Sequence, residues 1–485
     1  MNDYIALETY KSKFVSIYIK MARTKILATI GPSSENKVKE LVQAGVDGLR
    51  LNMAHIHPKD YDKYSKLIKE ARSISPDLFI VADLEGPKIR LGDFSPFEIK
   101  KNDKIIIAQN DYKNSVPVQF HDLYKYVGKG NILLIDDGSV GLSVIEVKDK
   151  SIHCIVDYGE FLLPRKGINV PGVRIPQPYL TKKMHLDIEL LIKNEIDFIS
   201  VSYSRNAQDI NSVKSLLKNS KIKLIGKIEN LEGDKNIDSI LSLVDSMMVP
   251  RGDYGLEMGV MNVPKFQKTL IEKCNILGKP VITATQMLES MMNSKSPRRA
   301  EVSDIFNAVL DGTDIVMLSG ETSKGVYPIE TVKMMNNILN EAEKFLFDSS
   351  SSTNLHIKLE RMIQTKTTPD IISKSVYNAS KEKYISAILV PTSTGYTARM
   401  IARFRPECPI IAITDSQQTK RQLNAVWGVT PLLTKRIKEE EVEENSIFIA
   451  LHEGLIKSGD TVIITAGMGS SSGGSTNMMR IERVK

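Results

Sequence analysis

Eight short apolar runs rich in β-branched residues, most of them followed by a segment with helical periodicity, constrain this chain more than any other feature. The runs lie near Lys25–Ile30, Asp47–Leu51, Phe79–Asp83, Phe198–Ser202, Leu224–Ile228, Ser246–Val249, Pro280–Ala284 and Asp314–Leu318. Helical spacing follows at Glu35–Ala44, Asp60–Ser73, Asn206–Lys218, Pro264–Leu277 and Pro328–Phe345. Alternating βα units give parallel strands, and eight of them predict a closed (β/α)₈ barrel rather than an open sheet. Such a barrel carries its chemistry on the loops after the strand C-termini. Polar residues collect there: Arg50, Asn52, Asp83, Ser202, Lys227, Glu229, Arg251, Asp253, Thr285, Gln286, Ser319 and Glu321. Taken singly, each reads as a cap or a solvated loop residue. As a set they mark a site.

Two segments do not fit the alternation. After the third strand, Lys88 to Pro178 is rich in β-type runs such as Lys104–Ala108, Asn131–Ile135 and Ile152–Val156, and predicts a small all-β, β-barrel-like cap domain inserted in a barrel loop. A cap of this kind closes over a site and excludes water. After Phe345 comes a polar linker, Asp348 to Thr353, and then a second βα series with strands near Ile385–Val390, Pro409–Ile413, Val429–Leu433 and Thr461–Thr465, which predicts an open α/β domain. The expected organisation is an N-terminal extension at 1–20, a barrel at 21–87 and 178–346, a cap at 88–177 and a C-terminal regulatory domain at 354–485. Met21-Ala22-Arg23 looks like a natural start preceded by a leader.

Composition narrows the function classes. A chain of 485 residues exceeds a single core, and with roughly 150 residues per domain it predicts about three. No apolar run approaches the ~20 residues of a bilayer span and the first residues carry acidic groups, so the expected location is the cytoplasm, without membrane contact. Cys154, Cys274 and Cys408 lie far apart without CxxC spacing, against a disulfide framework or a zinc site. The net charge of +7 is spread along the chain instead of concentrated with aromatics, which favours small anionic substrates over nucleic acid.

Glu229 and Asp253 end adjacent strands, and paired hard carboxylates with room for water suit Mg²⁺, or Mn²⁺ in its place. Lys227 shares the strand face of Glu229 and can set its ammonium against a transferring phosphoryl group; a plain salt bridge to Glu229 is the alternative. Arg50 offers a fork for phosphate oxygens, and the Arg251-Gly252-Asp253 segment is expected to be a loop with free amides for a carboxylate. Thr392, Ser393, Thr394, Gly395 and Thr397, between a strand and a helix start, make a phosphate cradle or an ordinary N-cap with a turn.

Lys25 to Ser33 (KILATIGPS), Arg50 to His55, Lys227 to Asn230, Met248 to Gly255 (MVPRGDYG), Lys279 to Ser290 (KPVITATQMLES), Arg299 to Asp304 and Asp311 to Gly325 (DGTDIVMLSGETSKG) resemble the pyruvate kinases. The likeness runs from Thr24 to Lys485 and includes Ser475 to Arg480. It implies phosphoryl transfer from phosphoenolpyruvate to ADP, giving pyruvate and ATP in glycolysis. By the same resemblance Glu229 and Asp253 bind Mg²⁺, Lys227 and Arg50 stabilise the phosphoryl group, and Gly252, Asp253 and Thr285 bind the carboxylate. Pro32, Asn52, His55, Arg90 and Lys166 line the nucleotide side, and protonation of the enolate runs through water near Thr285, Ser319 and Glu321. The loop at Thr392 to Thr397 looks like the family's site for a phosphorylated allosteric effector, and a homotetramer is the family's usual assembly.

The chain departs from the family pattern at the monovalent-cation site. Asn52 and Asp83 remain, but Ala54 stands for a Ser, Leu84 for a Thr, Glu85 for a Lys and Lys88 for a Glu. Oxygen ligands are lost and a cation is gained, which implies that K⁺ is not required and that Lys88 substitutes for its charge. Pro250 replaces a small residue and removes one N–H beside Arg251. Two rivals stand beside this reading. A related barrel enzyme, such as a lyase, acting with Mg²⁺ on phosphoenolpyruvate or an oxo acid leaves the cap and the C-terminal loop without a role. An inactive phosphometabolite-binding relative would more naturally lack Lys227 or Glu229.

Overall fold

The computed structural model describes residues 22–109, 115–348, 354–435, 441–467 and 476–485. The expected extension at 1–20 and most of the polar linker lie outside them. Eight parallel strands form a closed barrel: Lys25–Thr29, Gly48–Asn52, Phe79–Asp83, Phe198–Val201, Lys223–Lys227, Ser246–Pro250, Val281–Ala284 and Ile315–Leu318. The first and eighth close it in register, Lys25 opposite Ile315 and Ala28 opposite Leu318. Each strand falls within about a residue of its predicted run, because parallel strands covered on both faces are written as nearly continuous apolar sequence.

Alternate side chains then divide two cores. Leu27, Phe79, Val81, Phe198, Ile225, Met248, Ile282 and Ile315 fill the barrel interior, while Ile26, Ala28, Ile80, Ala82 and Ile199 pack outward under the helices. In the interior Phe79 meets Phe198 edge to face, with ring centroids 6.0 Å apart. Their bulk explains Gly48 on the neighbouring strand, where an added Cβ would lie 2.3 Å from the Phe79 ring.

Apart from one 3₁₀ turn, Leu123–Lys125, the regular structure described in the insertion is β, as expected. Seven strands form one sheet, and an isolated antiparallel bridge between Leu91 and Val118 ties its two edges together, so it rolls into a small barrel around Leu133, Leu142 and Val156. The C-terminal unit is an open five-stranded sheet with Ile385–Pro391 at its centre. Its fifth strand, Met478–Arg483, runs antiparallel to Thr461–Ala466 and was absent from the sequence expectation. An exposed edge strand that ends in charged residues lacks the apolar run by which the others are read.

The C-terminal unit seals the foot of the barrel. Arg421 donates to Asp197 at 2.7 Å, just before the fourth strand, and Arg405 reaches Asp314 at 2.9 Å, just before the eighth. Arg405 also donates to Asn275 Oδ1 and to the Gly312 carbonyl. Ala425 joins the barrel's interior cluster from below. The opposite mouth is left for chemistry.

Gly48→Ala is expected to destabilise the protein by about 1–3 kcal/mol, the usual cost of overpacking a filled core. Differential scanning calorimetry checks this, and a transition equal to the parent's would show that Phe79 can move aside.

Candidate active site

At the open mouth one buried carboxylate organises two buried cations. Asp83 ends the third strand and accepts from Arg50 Nε at 3.0 Å and Arg50 Nη2 at 2.6 Å, and Lys227 Nζ lies 3.3 Å from both of its oxygens. Ser202 completes the set, donating to Asp83 at 2.9 Å and accepting from Lys227 at 2.9 Å. Burial alone would raise the Asp83 carboxyl, but Lys227 and Arg50 outweigh it and hold it well below the usual carboxylate range. Burial likewise works against the Lys227 ammonium, and Asp83 with Glu229 more than restores it, so Lys227 is charged. Four side chains from four strand ends are thus locked as a unit.

Lys227 also faces Glu229 Oε1 at 3.0 Å, the salt bridge weighed above. That oxygen is buried and makes no hydrogen bond in satisfying geometry. Oε2 accepts the Tyr203 amide at 2.6 Å. Burial pushes the Glu229 carboxyl up, against the pull of Lys227 and with the push of Asp253 and Asp83. Asp253 accepts from the Tyr203 hydroxyl at 2.7 Å and from Lys88 at 3.3 Å. Burial opposes the Asp253 charge, and Lys88, Lys227 and the Tyr203 hydroxyl overcome it. An under-satisfied buried carboxylate oxygen beside a second carboxylate fits a hard divalent cation. Among the described residues no group of three or more His, Cys, Asp or Glu is placed to hold a metal, so substrate and water would complete the coordination of an ion on this pair.

The segment expected to be a loop at Arg251-Gly252-Asp253 is the first turn of a helix, Arg251–Met258, entered straight from the sixth strand. Pro250, last in the strand, needs no donor there, and the first-turn amides are free of helical partners in either reading. The Gly252 amide donates to Thr285 Oγ1 at 3.1 Å. Thr285 has φ +65° and Gln286 φ +53°, a left-handed pair that is costly for a β-branched residue. Arg251 holds it: the guanidinium donates to the carbonyls of Ala284, Thr285 and Gln286 and pairs with Asp304 at 2.6 Å. Arg251 is therefore a structural clamp. Glu321 is likewise used on backbone, its oxygens accepting from the amides of Leu288 and Ser319, while Ser319 Oγ is buried without a partner.

The cap side brings together other expected residues. Arg90 and Gly167 pair across the inserted sheet, next to Lys166. Arg90 donates to Glu85 at 2.8 Å, and Lys166 pairs with Asp136 at 2.9 Å. Burial lowers the His55 imidazole, and the charges of Lys324, Arg90 and Arg50 lower it further, so these cations gather on one flank. Lys324 was not singled out from the sequence. Asn52 accepts from the Ala54 amide at 3.3 Å, and Pro32 is exposed in the turn after the first strand. Lys88 does not pair with Asp83. Its ammonium bridges Asp137 of the cap, at 3.1 Å, to Asp253 of the barrel, and Arg50 and Lys227 are the cations on Asp83.

In the C-terminal unit, Thr392 to Thr397 joins the central strand to the helix Tyr396–Ala402. The Gly395 amide donates to Thr392 Oγ1 at 3.0 Å, and Thr397 exchanges a 2.7 Å bond with Thr476. Gly395 sits at φ +77°, against Leu423.

In sequence and fold the chain is similar to known proteins. Residues 21–332 match the family model described as pyruvate kinase, barrel domain, and residues 370–482 that described as pyruvate kinase, alpha/beta domain. A pyruvate kinase of Clostridium acetobutylicum is 38% identical over 96% of this chain and 100% of its own length. One from Geobacillus stearothermophilus is 40% identical over 95% of this chain and 80% of its own. The crystal structure of a pyruvate kinase from Cryptosporidium parvum superimposes with a TM-score of 0.87 at 35% identity, covering 96% of this chain and 97% of that one.

Asp83→Asn leaves two buried cations without their shared anion, and is expected to cost about 3–5 kcal/mol of stability. Thermal unfolding measures it. A midpoint unchanged from the parent's would show that Ser202 and Glu229 suffice for both cations.

Proposed function

Because the chain belongs to the pyruvate kinase family, we propose that it transfers the phosphoryl group of phosphoenolpyruvate to ADP with Mg²⁺ and without need of K⁺, as the last step of glycolysis. The observation that carries this reading is the Lys227 ammonium, held charged at the end of the fifth strand between Asp83, Ser202 and Glu229. A buried cation fixed before substrate arrives stabilises a transferring phosphoryl group without reorganising at the moment of reaction.

Glu229 and Asp253 would hold the divalent ion, Mg²⁺ or Mn²⁺. Bound there, the ion would neutralise charge on the phosphoryl and enolate oxygens. Arg50 keeps Nη1 on Thr29 and its other nitrogens on Asp83, so it stands as an oriented guanidinium beside Lys227. Gly252, Asp253 and Thr285 would take the substrate carboxylate on first-turn amides and the Thr285 hydroxyl. Arg251, by fixing Thr285, positions this part of the site. Ser319, with its unpartnered hydroxyl, is suited to order the water that protonates the enolate, and Glu321 to fix the backbone around it. Pro32, Asn52, His55, Arg90 and Lys166, on the flank that also carries Lys324, would receive the nucleotide.

Freedom from K⁺ rests on charge balance. Two fixed cations already face Asp83, and Lys88 adds a third positive charge on Asp253 instead of the acid the family pattern puts at its position. We assign Lys88 the charge that K⁺ would bring, delivered from the Asp253 side. Thr392, Ser393, Thr394, Gly395 and Thr397 would bind the phosphate of an allosteric effector. They lie at the end of the central strand, which has neighbours of both topological directions, where open α/β sheets take ligands. The proposed units are the barrel at 21–87 and 178–346, the cap at 88–177 and the regulatory domain at 354–485. A cytoplasmic homotetramer completes the reading; among the described residues no helix is long and apolar enough to cross a membrane.

Lys227→Ala should lower kcat for pyruvate formation from phosphoenolpyruvate and ADP by about 10³-fold, in the range of losing one electrostatic stabiliser. Retention of rate would remove Lys227 from the chemistry. In Na⁺- and NH₄⁺-free buffer, added K⁺ should change the parent's rate by less than about twofold, the small effect expected where fixed charges replace a bound ion. A manyfold rise on adding K⁺ would sink the idea of a built-in cation.

A further inference from the structure

Tyr203 was not among the residues expected to act, yet it touches both carboxylates of the proposed metal pair. It follows the fourth barrel strand, in a left-handed conformation at φ +55° that non-glycine residues rarely adopt. Its amide donates to Glu229 Oε2 at 2.6 Å and its hydroxyl to Asp253 Oδ1 at 2.7 Å. Its carbonyl accepts from Asn230 Nδ2 at 3.3 Å, which secures the turn from the adjacent strand end. Lys88 lies 5.8 Å from the ring centroid and donates to the same Asp253 oxygen.

We propose that Tyr203 is a positioning residue for the divalent metal site, its hydroxyl fixing the rotation of the Asp253 carboxylate while its amide fixes that of Glu229. This inference rests on the reading of Glu229 and Asp253 as the metal carboxylates. The physical reason is the sharing of oxygens. Both donors to Asp253 take Oδ1, which leaves Oδ2 as the oxygen offered to a cation. On Glu229 the amide takes Oε2, and Oε1, outside any hydrogen bond, faces only the Lys227 ammonium at 3.0 Å. Carboxylates held in this way present one oxygen each, and groups that orient metal ligands typically change metal affinity by about 10–100-fold. The strained backbone at Tyr203 is consistent with such a task, since strain of this kind persists where surrounding contacts enforce it and gathers at functional sites.

Tyr203→Phe removes the hydroxyl and keeps the ring and the amide. The test is Mn²⁺ binding in the absence of substrates, read from the electron paramagnetic resonance signal of free Mn²⁺, for the parent, Tyr203→Phe, Asp253→Asn and Glu229→Gln. The expected result is a dissociation constant raised about tenfold in Tyr203→Phe, with the thermal midpoint near the parent's, and a kcat that recovers at high Mg²⁺. A Tyr203→Phe constant within about twofold of the parent's, while Asp253→Asn and Glu229→Gln bind weakly, would overturn the role of Tyr203 and leave the metal pair standing. Parent-like Mn²⁺ binding in Asp253→Asn and Glu229→Gln would instead overturn the metal pair, and the inference with it.

Discussion

The site depends on one shared anion. Asp83 is buried at the end of the third strand, with the Arg50 fork on its Oδ2 and the Lys227 ammonium 3.3 Å from both of its oxygens. Without it, two positive charges would lie close together in a water-poor mouth, an arrangement that costs several kcal/mol per ion. With it, Lys227 stays charged and both side chains are hydrogen-bonded in place. Ser202 ties the anion to the lysine, so that the strand ends carrying Arg50, Asp83, Ser202 and Lys227 cannot shift independently.

A barrel can hold such a cluster because its strands are fixed at both ends. Below, Arg421 on Asp197 and Arg405 on Asp314 fasten the C-terminal unit to the residues that open the fourth and eighth strands. Ala425 closes the interior there. Above, Lys88 joins the cap's Asp137 to the barrel's Asp253. The foot contacts are fully buried and the cap contact only partly so, since Asp137 is largely exposed. Breaking a buried pair is costly while an exposed one contributes little, so the foot contacts bind the strands more strongly than the Asp137 contact binds the cap.

The sequence was most informative where a residue's role follows from its strand. The eight runs, the polar residues at their ends and the inserted β segment could be read because strand period and burial are written locally. Three features were not local. The turn at Arg251 was read as a loop, because its helix, Arg251–Met258, opens with Arg-Gly-Asp and lacks an apolar stripe at its start. The edge strand Met478–Arg483 alternates too weakly to be seen without its partner. Lys88 was read as the substitute for the cation of the Asn52 and Asp83 site, whereas the direction of its side chain depends on Gly167, which leaves room for the lysine stem: an added Cβ there would lie 2.5 Å from its Cε.

Tyr203 is the sharpest case of what a linear reading misses. Nothing in Val201-Ser202-Tyr203-Ser204 marks it, and a tyrosine after a strand is most often packing. Its significance lies in a backbone angle that turns its amide toward one carboxylate and its hydroxyl toward another. Thr285 and Gln286 share that property, left-handed residues fixed by the buried guanidinium of Arg251. The strained positions thus stand on either side of Asp253: Tyr203 binds its side chain, and Thr285 binds the amide of Gly252 just before it. Around Asp253 it is backbone held out of its preferred region, rather than any unusual residue type, that sets the direction of these contacts.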